Sequence, residues 1–155
     1  MIEEGQKAPD FNLLSDDGKP VRLTALKGRP VVVYFYPKDD TSGCTAEAKD
    51  FTRLAGAFAE AGASVVGVSP DGVASHRKFK DKHGLSVVLA ADEDKAAATA
   101  YGVWVEKSMY GRKYMGVERS TFLIDANGRV ARAWRKVKVP GHAEEVLAAV
   151  RALGG

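Results

Sequence analysis

The chain has 155 residues, one cysteine, 23 lysines and arginines against 20 acids, and 45% hydrophobic residues. That length suits one compact domain spanning 1–155 and leaves no room for two sizeable ones. A domain of this size buries about 70% of its unfolded surface and needs no staple, and a lone cysteine excludes an internal disulfide and the usual Cys-based zinc sites.

Charge is uneven: residues 1–60 carry a net −2 and residues 61–155 a net +5. No Lys/Arg run is interleaved with stacking aromatics, so the basic excess reads as a solvated surface and no nucleic-acid partner is expected. Met1-Ile-Glu-Glu-Gly has neither a positive leader nor an apolar stretch. The longest apolar run, Val31–Tyr36, falls far short of the ~18–20 residues of a membrane span. A soluble, cytoplasmic protein without a membrane segment is expected.

In chain order, Phe11-Asn-Leu-Leu and Val21-Arg-Leu flank Asp16-Asp-Gly-Lys, whose Asp-Gly step signals a hairpin turn. Val31-Val-Val-Tyr-Phe-Tyr is short, apolar and β-branched or aromatic, the pattern of a central strand covered on both faces. Pro37, which supplies no ladder donor, ends it. Between Thr45 and Ala61 the apolar residues Ala48, Phe51, Leu54, Ala55, Phe58 and Ala61 recur at helical spacing, and Gly62 stands where a terminating glycine belongs.

Ser64–Ser69 reads as the next strand, Val73–His83 as a polar helix closed by Gly84, and Ser86–Ala90 as a strand. A short helix is expected over Lys95–Tyr101, then a long loop, Gly102–Val117. Ser120–Asp125 and Val130–Val137 are strands joined by Asn127-Gly128, a strong hairpin signal, and a helix over His142–Leu153 closes the chain. The fold class is therefore α/β: a thioredoxin-like three-layer sandwich with a central mixed sheet and an N-terminal β-hairpin.

Cys44 follows the buried strand and lies in the first turn of the next helix. Unpaired N–H groups and the helix dipole favour an anion there, so a thiolate, the reactive form, is stabilised. A buried single cysteine is equally at home as a small hydrophobe. Thr41, three residues earlier, suits either a helix cap or a hydroxyl turned toward the sulfur. Arg119 opens a core strand, an odd place for a charge without a partner.

Pro37-Lys-Asp-Asp-Thr41-Ser-Gly-Cys44-Thr45 resembles the peroxiredoxins, which carry Pro-x-x-x-Thr-x-x-Cys at a strand-to-helix junction. The wider text from Val33 to Thr45 is similar to the Q-type branch, the bacterioferritin comigratory proteins. So are Phe11-Asn-Leu with Asp17-Gly, Tyr101-Gly-Val-Trp-Val-Glu-Lys-Ser, and Arg119-Ser-Thr-Phe-Leu-Ile-Asp-Ala-Asn-Gly. The likeness covers nearly the whole chain.

The resemblance implies a one-cysteine thiol peroxidase that reduces hydrogen peroxide and organic hydroperoxides through a Cys44 sulfenic acid. It makes Arg119 the active-site arginine, whose cation favours the thiolate and the charge developing during O–O cleavage. Glu47, three residues after Cys44 and on its helix face, would hold the arginine; a solvated first-turn acid is the other reading. Pro37 would rigidify the loop and screen the pocket, or simply end the strand. Gly43 and Trp104 are expected to line the substrate pocket, ordinary packing being the alternative for Trp104 and for Tyr110.

Many members of the branch have a second, resolving cysteine five residues after the first. Here that position is Lys49, so the sulfenic acid needs an external thiol: thioredoxin, glutaredoxin, glutathione, or the Cys44 of another copy. Ser42 stands where many relatives have proline and still fits a turn. No metal, haem or flavin cofactor is implied, and a monomer is expected. His76, His83 and His142 lack a ligand pattern and are expected in surface or cap roles. Asp92-Glu-Asp94 reads as a helix start rather than a calcium loop, and Gly111–Gly116 lacks the strand and helix a phosphate loop requires. The rival function is a peroxide-responsive redox sensor or regulatory binding module using the same cysteine. The absence of Cys-x-x-Cys argues against a dithiol oxidoreductase.

Overall fold

The computed structural model describes residues 2–154; Met1 and Gly155, the ends of the expected 1–155 span, lie outside them. The first half runs β1 (Asn12–Ser15), β2 (Pro20–Arg22), the one-turn α1 (Leu23–Leu26), β3 (Val31–Phe35), α2 (Ser42–Arg53), α3 (Ala55–Glu60) and β4 (Ser64–Ser69). The second half runs α4 (Val73–His83), β5 (Val88–Ala91), α5 (Ala96–Ala100), β6 (Trp104–Met109), β7 (Arg112–Val117), β8 (Ser120–Ile124), β9 (Val130–Trp134) and α6 (His142–Gly154).

Seven strands form one sheet in the order β2-β1-β5-β4-β3-β8-β9. β3 is parallel to β4 and β4 to β5, while β1–β2, β1–β5, β3–β8 and β8–β9 pair antiparallel. The sheet is mixed and carries the expected N-terminal hairpin. β3 sits inside it, and all five of its residues are buried.

Strand alternation sorts the core into two halves. Val31, Val33 and Phe35 pack with Phe11, Leu23, Tyr101 and Phe122. Val32, Tyr34 and Tyr36 pack with Phe51, Phe58, Phe79 and Val146. Helices α2, α3, α4 and α6 thus cover one face and α1 and α5 the other, giving the three layers of a thioredoxin-like fold. The layout puts the C-terminal end of β3, and the loop that follows it, at the mouth of α2.

Four local features differ from the expected ones. The helix placed at Thr45–Ala61 starts earlier, at Ser42, and breaks at Leu54, whose φ −95° and ψ 5° interrupt it into α2 and α3. α1 is an addition to the expected elements, since four residues are too few to show a helical period. The third difference is in strand bounds, with β5 at Val88–Ala91 and β9 ending at Trp134.

The fourth difference is the largest. Gly102–Val117 is not a loop, because most of it is the two-stranded β6–β7 hairpin. Its turn is Tyr110-Gly111, both left-handed at φ 51° and 79°, the geometry of a tight hairpin turn. Met109, Tyr114 and Met115 remain exposed. Tyr110 is 98% exposed at the tip and walls no pocket.

Candidate active site

Cys44 sits in the first turn of α2, with Thr41 as the residue before the helix. The first intrahelical bond runs from Thr45 N to Thr41 O at 2.8 Å, so the N–H groups of Ser42, Gly43 and Cys44 have no helical partner. Thr41 does not cap them with its side chain. Its hydroxyl donates instead to Lys38 O at 2.9 Å, and the helix mouth stays open to an anion.

Arg119, one residue before β8, spans the two acidic partners of the site. Nη2 donates to Cys44 Sγ at 3.2 Å and Nη1 to Glu47 Oε1 at 2.6 Å. β8 pairs with β3, the strand that leads into α2, and so carries Arg119 to Cys44 across 75 residues of sequence. Burial works against the guanidinium charge, but Glu47 and the sulfur outweigh it and hold the cation more firmly than usual. A β-carbon on Gly43 would stand 3.2 Å from Arg119 Nη2, so the glycine makes room for the guanidinium.

Cys44 and Glu47 are both buried, at 2% and 1% exposure. Burial pushes the Glu47 carboxyl up to about 7, with Arg119 pulling the other way and Asp50 adding to the rise. Only one of its oxygens has a partner; Oε2 is buried without one among the described residues. Glu47 is therefore a buried partner of Arg119 and not a solvated first-turn acid.

Pro37 is half-buried, two residues beyond β3. Trp104 begins β6 opposite Val117, packs against the first core half, and has Lys95 Nζ 5.7 Å from its ring centroid. Those are packing contacts. Lys49 is exposed on α2.

Lys107 and Thr121 stand beside the site with no motif in the sequence to mark them, and His142, expected in a surface or cap role, is buried next to them. Lys107 of β6 is partly buried; burial and then the Arg119 charge push its ammonium down, while Glu118 and Cys44 act oppositely. Thr121 and His142 meet beneath α2, with Oγ1 and Nε2 2.8 Å apart, and the imidazole stands edge-on to Phe51. Burial keeps His142 below its usual range, against Glu145 and with some help from Arg119. His76 also departs from the expected surface role: it is fully buried, with Nδ1 2.7 Å from Asp39 Oδ2. Neither histidine carries a sequence pattern, because each partner is remote in the chain. Asp92 behaves as read, its carboxylate accepting the N–H groups of Ala97 and Ala98 at the start of α5.

Among the described residues, one group has the donor set for a metal ion: Asp39, Asp71 and His76. Its oxygens already accept from Tyr36, Ser69, Ser75 and the Asp39 amide, and His76 Nε2 faces Ala90 O. That is the hydrogen-bonding of a closed polar core.

A thiol held under an arginine at an open helix mouth stands in a site built for an anion. The comparisons agree on the kind of protein that carries one. Residues 4–133 match the AhpC/TSA family. Peroxiredoxin Bcp of Bacillus subtilis is 52% identical over 146 residues, covering 94% of this chain and 93% of its own. A structure of the Xanthomonas campestris bacterioferritin comigratory protein, described for its alkyl peroxide reduction activity, superimposes with a TM-score of 0.92 at 45% identity, covering 100% of this chain and 99% of that one. A mutant of Xylella fastidiosa PrxQ gives 0.95 at 38% identity, covering 100% and 99%.

Proposed function

The chain belongs to the AhpC/TSA family, within its Bcp or Q-type peroxiredoxins, and is a thiol-dependent peroxidase; from that premise we propose how its one thiol works. The Cys44 thiolate attacks the terminal oxygen of the peroxide. The S–O bond forms as the O–O bond breaks, and the leaving oxygen takes a proton and departs as water or an alcohol. Cys44 is left as a sulfenic acid. The observation that carries this reading is the 3.2 Å contact of Arg119 Nη2 with Sγ at a helix mouth whose N–H groups are free.

Arg119 and the first-turn N–H groups favour the thiolate and then the charge growing on the departing oxygen. Glu47 holds Arg119 by its other nitrogen. Gly43 lets the guanidinium reach the sulfur, and Thr41, at the same mouth, is the hydroxyl that meets the peroxide after turning from Lys38 O. Pro37 bounds the pocket more remotely, and Trp104, at the start of β6, serves as packing.

With Lys49 in the resolving position and a single cysteine in the sequence, the cycle closes outside the chain. A first external thiol condenses with the sulfenic acid, releasing water and leaving a mixed disulfide. A second thiol displaces Cys44 and leaves as the oxidised reductant. Thioredoxin, glutaredoxin and glutathione fit that role, and both hydrogen peroxide and organic hydroperoxides fit the site. The working unit is a cytoplasmic monomer of one domain. A redox-sensor role, in which turnover is incidental, is not favoured beside relatives described as peroxiredoxins.

One experiment tests the reading. Intact mass after one equivalent of peroxide is expected to show a gain of one oxygen on the wild type and none on Cys44→Ser, and a panel of thiols then identifies which adduct forms and clears. Peroxide consumption by Cys44→Ser at the wild-type rate would sink it.

A further inference from the structure

The loop between β3 and α2, residues 37–41, carries Thr41 and leads directly to Cys44. Little of it is held by its own backbone. The Asp39 amide donates to Asp71 Oδ2 at 2.8 Å, and Ser69 Oγ anchors the same oxygen at 2.6 Å. Asp40 is left-handed at φ 59°, a conformation uncommon outside glycine, and its carboxylate lies 2.7 Å from both Lys82 Nζ and His83 Nε2.

At the centre is a buried pair. Asp39 Oδ1 accepts from Tyr36 Oη at 2.6 Å, and Oδ2 accepts from Ser75 Oγ at 2.8 Å while lying 2.7 Å from His76 Nδ1. His76 Nε2 lies 3.0 Å from Ala90 O, which only accepts, so that nitrogen carries a hydrogen. Nδ1 faces a carboxylate already taking two hydroxyl donors. Every polar atom of the pair is satisfied. His76 and His83 are seven residues apart, two turns along α4, so the inner and outer ties grip the loop from the same helix.

We propose that Asp39 and His76 are a positioning pair for peroxide reduction, locking residues 37–41 to α4 and thereby fixing where Thr41 and Cys44 stand when peroxide arrives. The proposal rests on the reading of Cys44 as the peroxide-reducing thiol. Neither residue touches the sulfur; both act through the loop. The logic is that of reactive groups held in place before the encounter, where a displacement of about 1 Å costs about 100-fold in rate.

The test measures sulfenic acid formation in single turnover, per folded molecule, beside the rate at which the external thiol clears it. Asp39→Ala and His76→Ala are expected to slow sulfenate formation about 10- to 100-fold and to leave the clearance step near its wild-type rate. Asp39→Asn is expected to recover to within about threefold, because its amide supplies an acceptor for Tyr36 and donors for Ser75 and His76. Ala variants that react at the wild-type rate would overturn the proposal, as would an Asn variant as slow as Ala. If the Ala variants do not fold, Ser75→Ala decides, since it removes one donor to Asp39 from a half-buried site. Slower sulfenate formation at an unchanged melting temperature supports the pair, and an unchanged rate overturns it. A Cys44→Ser protein that still consumes peroxide marks failure of the underlying reading instead.

Discussion

Gly43 lies directly beneath the guanidinium of Arg119: a β-carbon at residue 43 would stand 3.2 Å from Nη2. That spacing is tighter than ordinary contact, so any side chain there displaces the arginine by a few tenths of an ångström. Nη2 is the same nitrogen that donates to Cys44 Sγ. Gly43→Ala is therefore expected to separate stability from activity. Replacing glycine within α2 favours the helix by up to about 1 kcal/mol, whereas the displaced cation slows peroxide reduction roughly three- to tenfold. Urea unfolding beside stopped-flow oxidation measures both, and an unchanged oxidation rate would show that Arg119 has slack.

Arg119 serves two partners from two nitrogens, Cys44 and Glu47. An ammonium is a single point and cannot keep that fork. Arg119→Lys is expected to lose about tenfold or more in the rate constant with peroxide, and Arg119→Ala about 100- to 1000-fold, the usual cost of removing a donor aimed at developing charge. The thiolate ultraviolet absorbance of Cys44 at neutral pH is expected to fall in both. Lysine at full activity would mean that charge alone suffices and the fork is incidental.

The buried Glu47 carboxyl gives a pH prediction whose two parts run in opposite directions. Its folded value of about 7 lies above the unfolded 4.5, with burial as the main cause and Arg119 opposing it. The fold then binds the proton more tightly than the unfolded chain does. This contribution to stability is fully present below the unfolded value and is lost as pH rises through about 7, by roughly 1–3 kcal/mol. Ionised Glu47 is the better anchor for Arg119, so peroxide reduction gains over the same interval. Glu47→Gln keeps an acceptor for Nη1 and does not titrate. It is expected to flatten both the stability change and this limb of the pH–rate profile, read from urea titrations and oxidation rates between about pH 5 and about pH 8. A wild-type stability curve parallel to that of the variant would remove Glu47 as the cause.

Much of this could be read from the chain because it rests on local pattern. Val31–Phe35 is uniformly apolar and becomes the buried central strand, and Cys44 falls in a helix first turn because Pro37 ends the strand and helical spacing begins soon after. No local signal marks the β6–β7 hairpin: its turn is Tyr110-Gly111 and not Asn-Gly, and its strands are largely exposed and show no alternation. The break at Leu54 is silent in the sequence because the apolar spacing continues across it. Arg119 stood out only as an odd charge at a strand start, and resemblance supplied its partner. Asp39 and His76, 37 residues apart, left no trace: their bond depends on how α4 lies over the loop, which no local spacing encodes.

The strand pair behind α2 has its own close approach. Gly67 of β4 is in register with Tyr34 of β3, and a β-carbon at residue 67 would stand 2.6 Å from Tyr34 Cζ. Tyr34 is fully buried and stacked on Phe51 of α2 with ring centroids 4.6 Å apart. The ring has nowhere to go without pushing the helix that carries Cys44 and Glu47. Gly67→Ala is expected to destabilise the fold by about 1–3 kcal/mol, the usual cost of overpacking a filled core, and to slow peroxide reduction in the molecules that remain folded. Tyr34→Leu alone leaves a cavity, but in the double variant the new methyl fills part of that space. The pair is therefore expected to cost less than the two single changes added together, by about 1 kcal/mol or more. Chemical denaturation of the four proteins measures this coupling, and strict additivity would mean that the ring and residue 67 do not compete for the same volume.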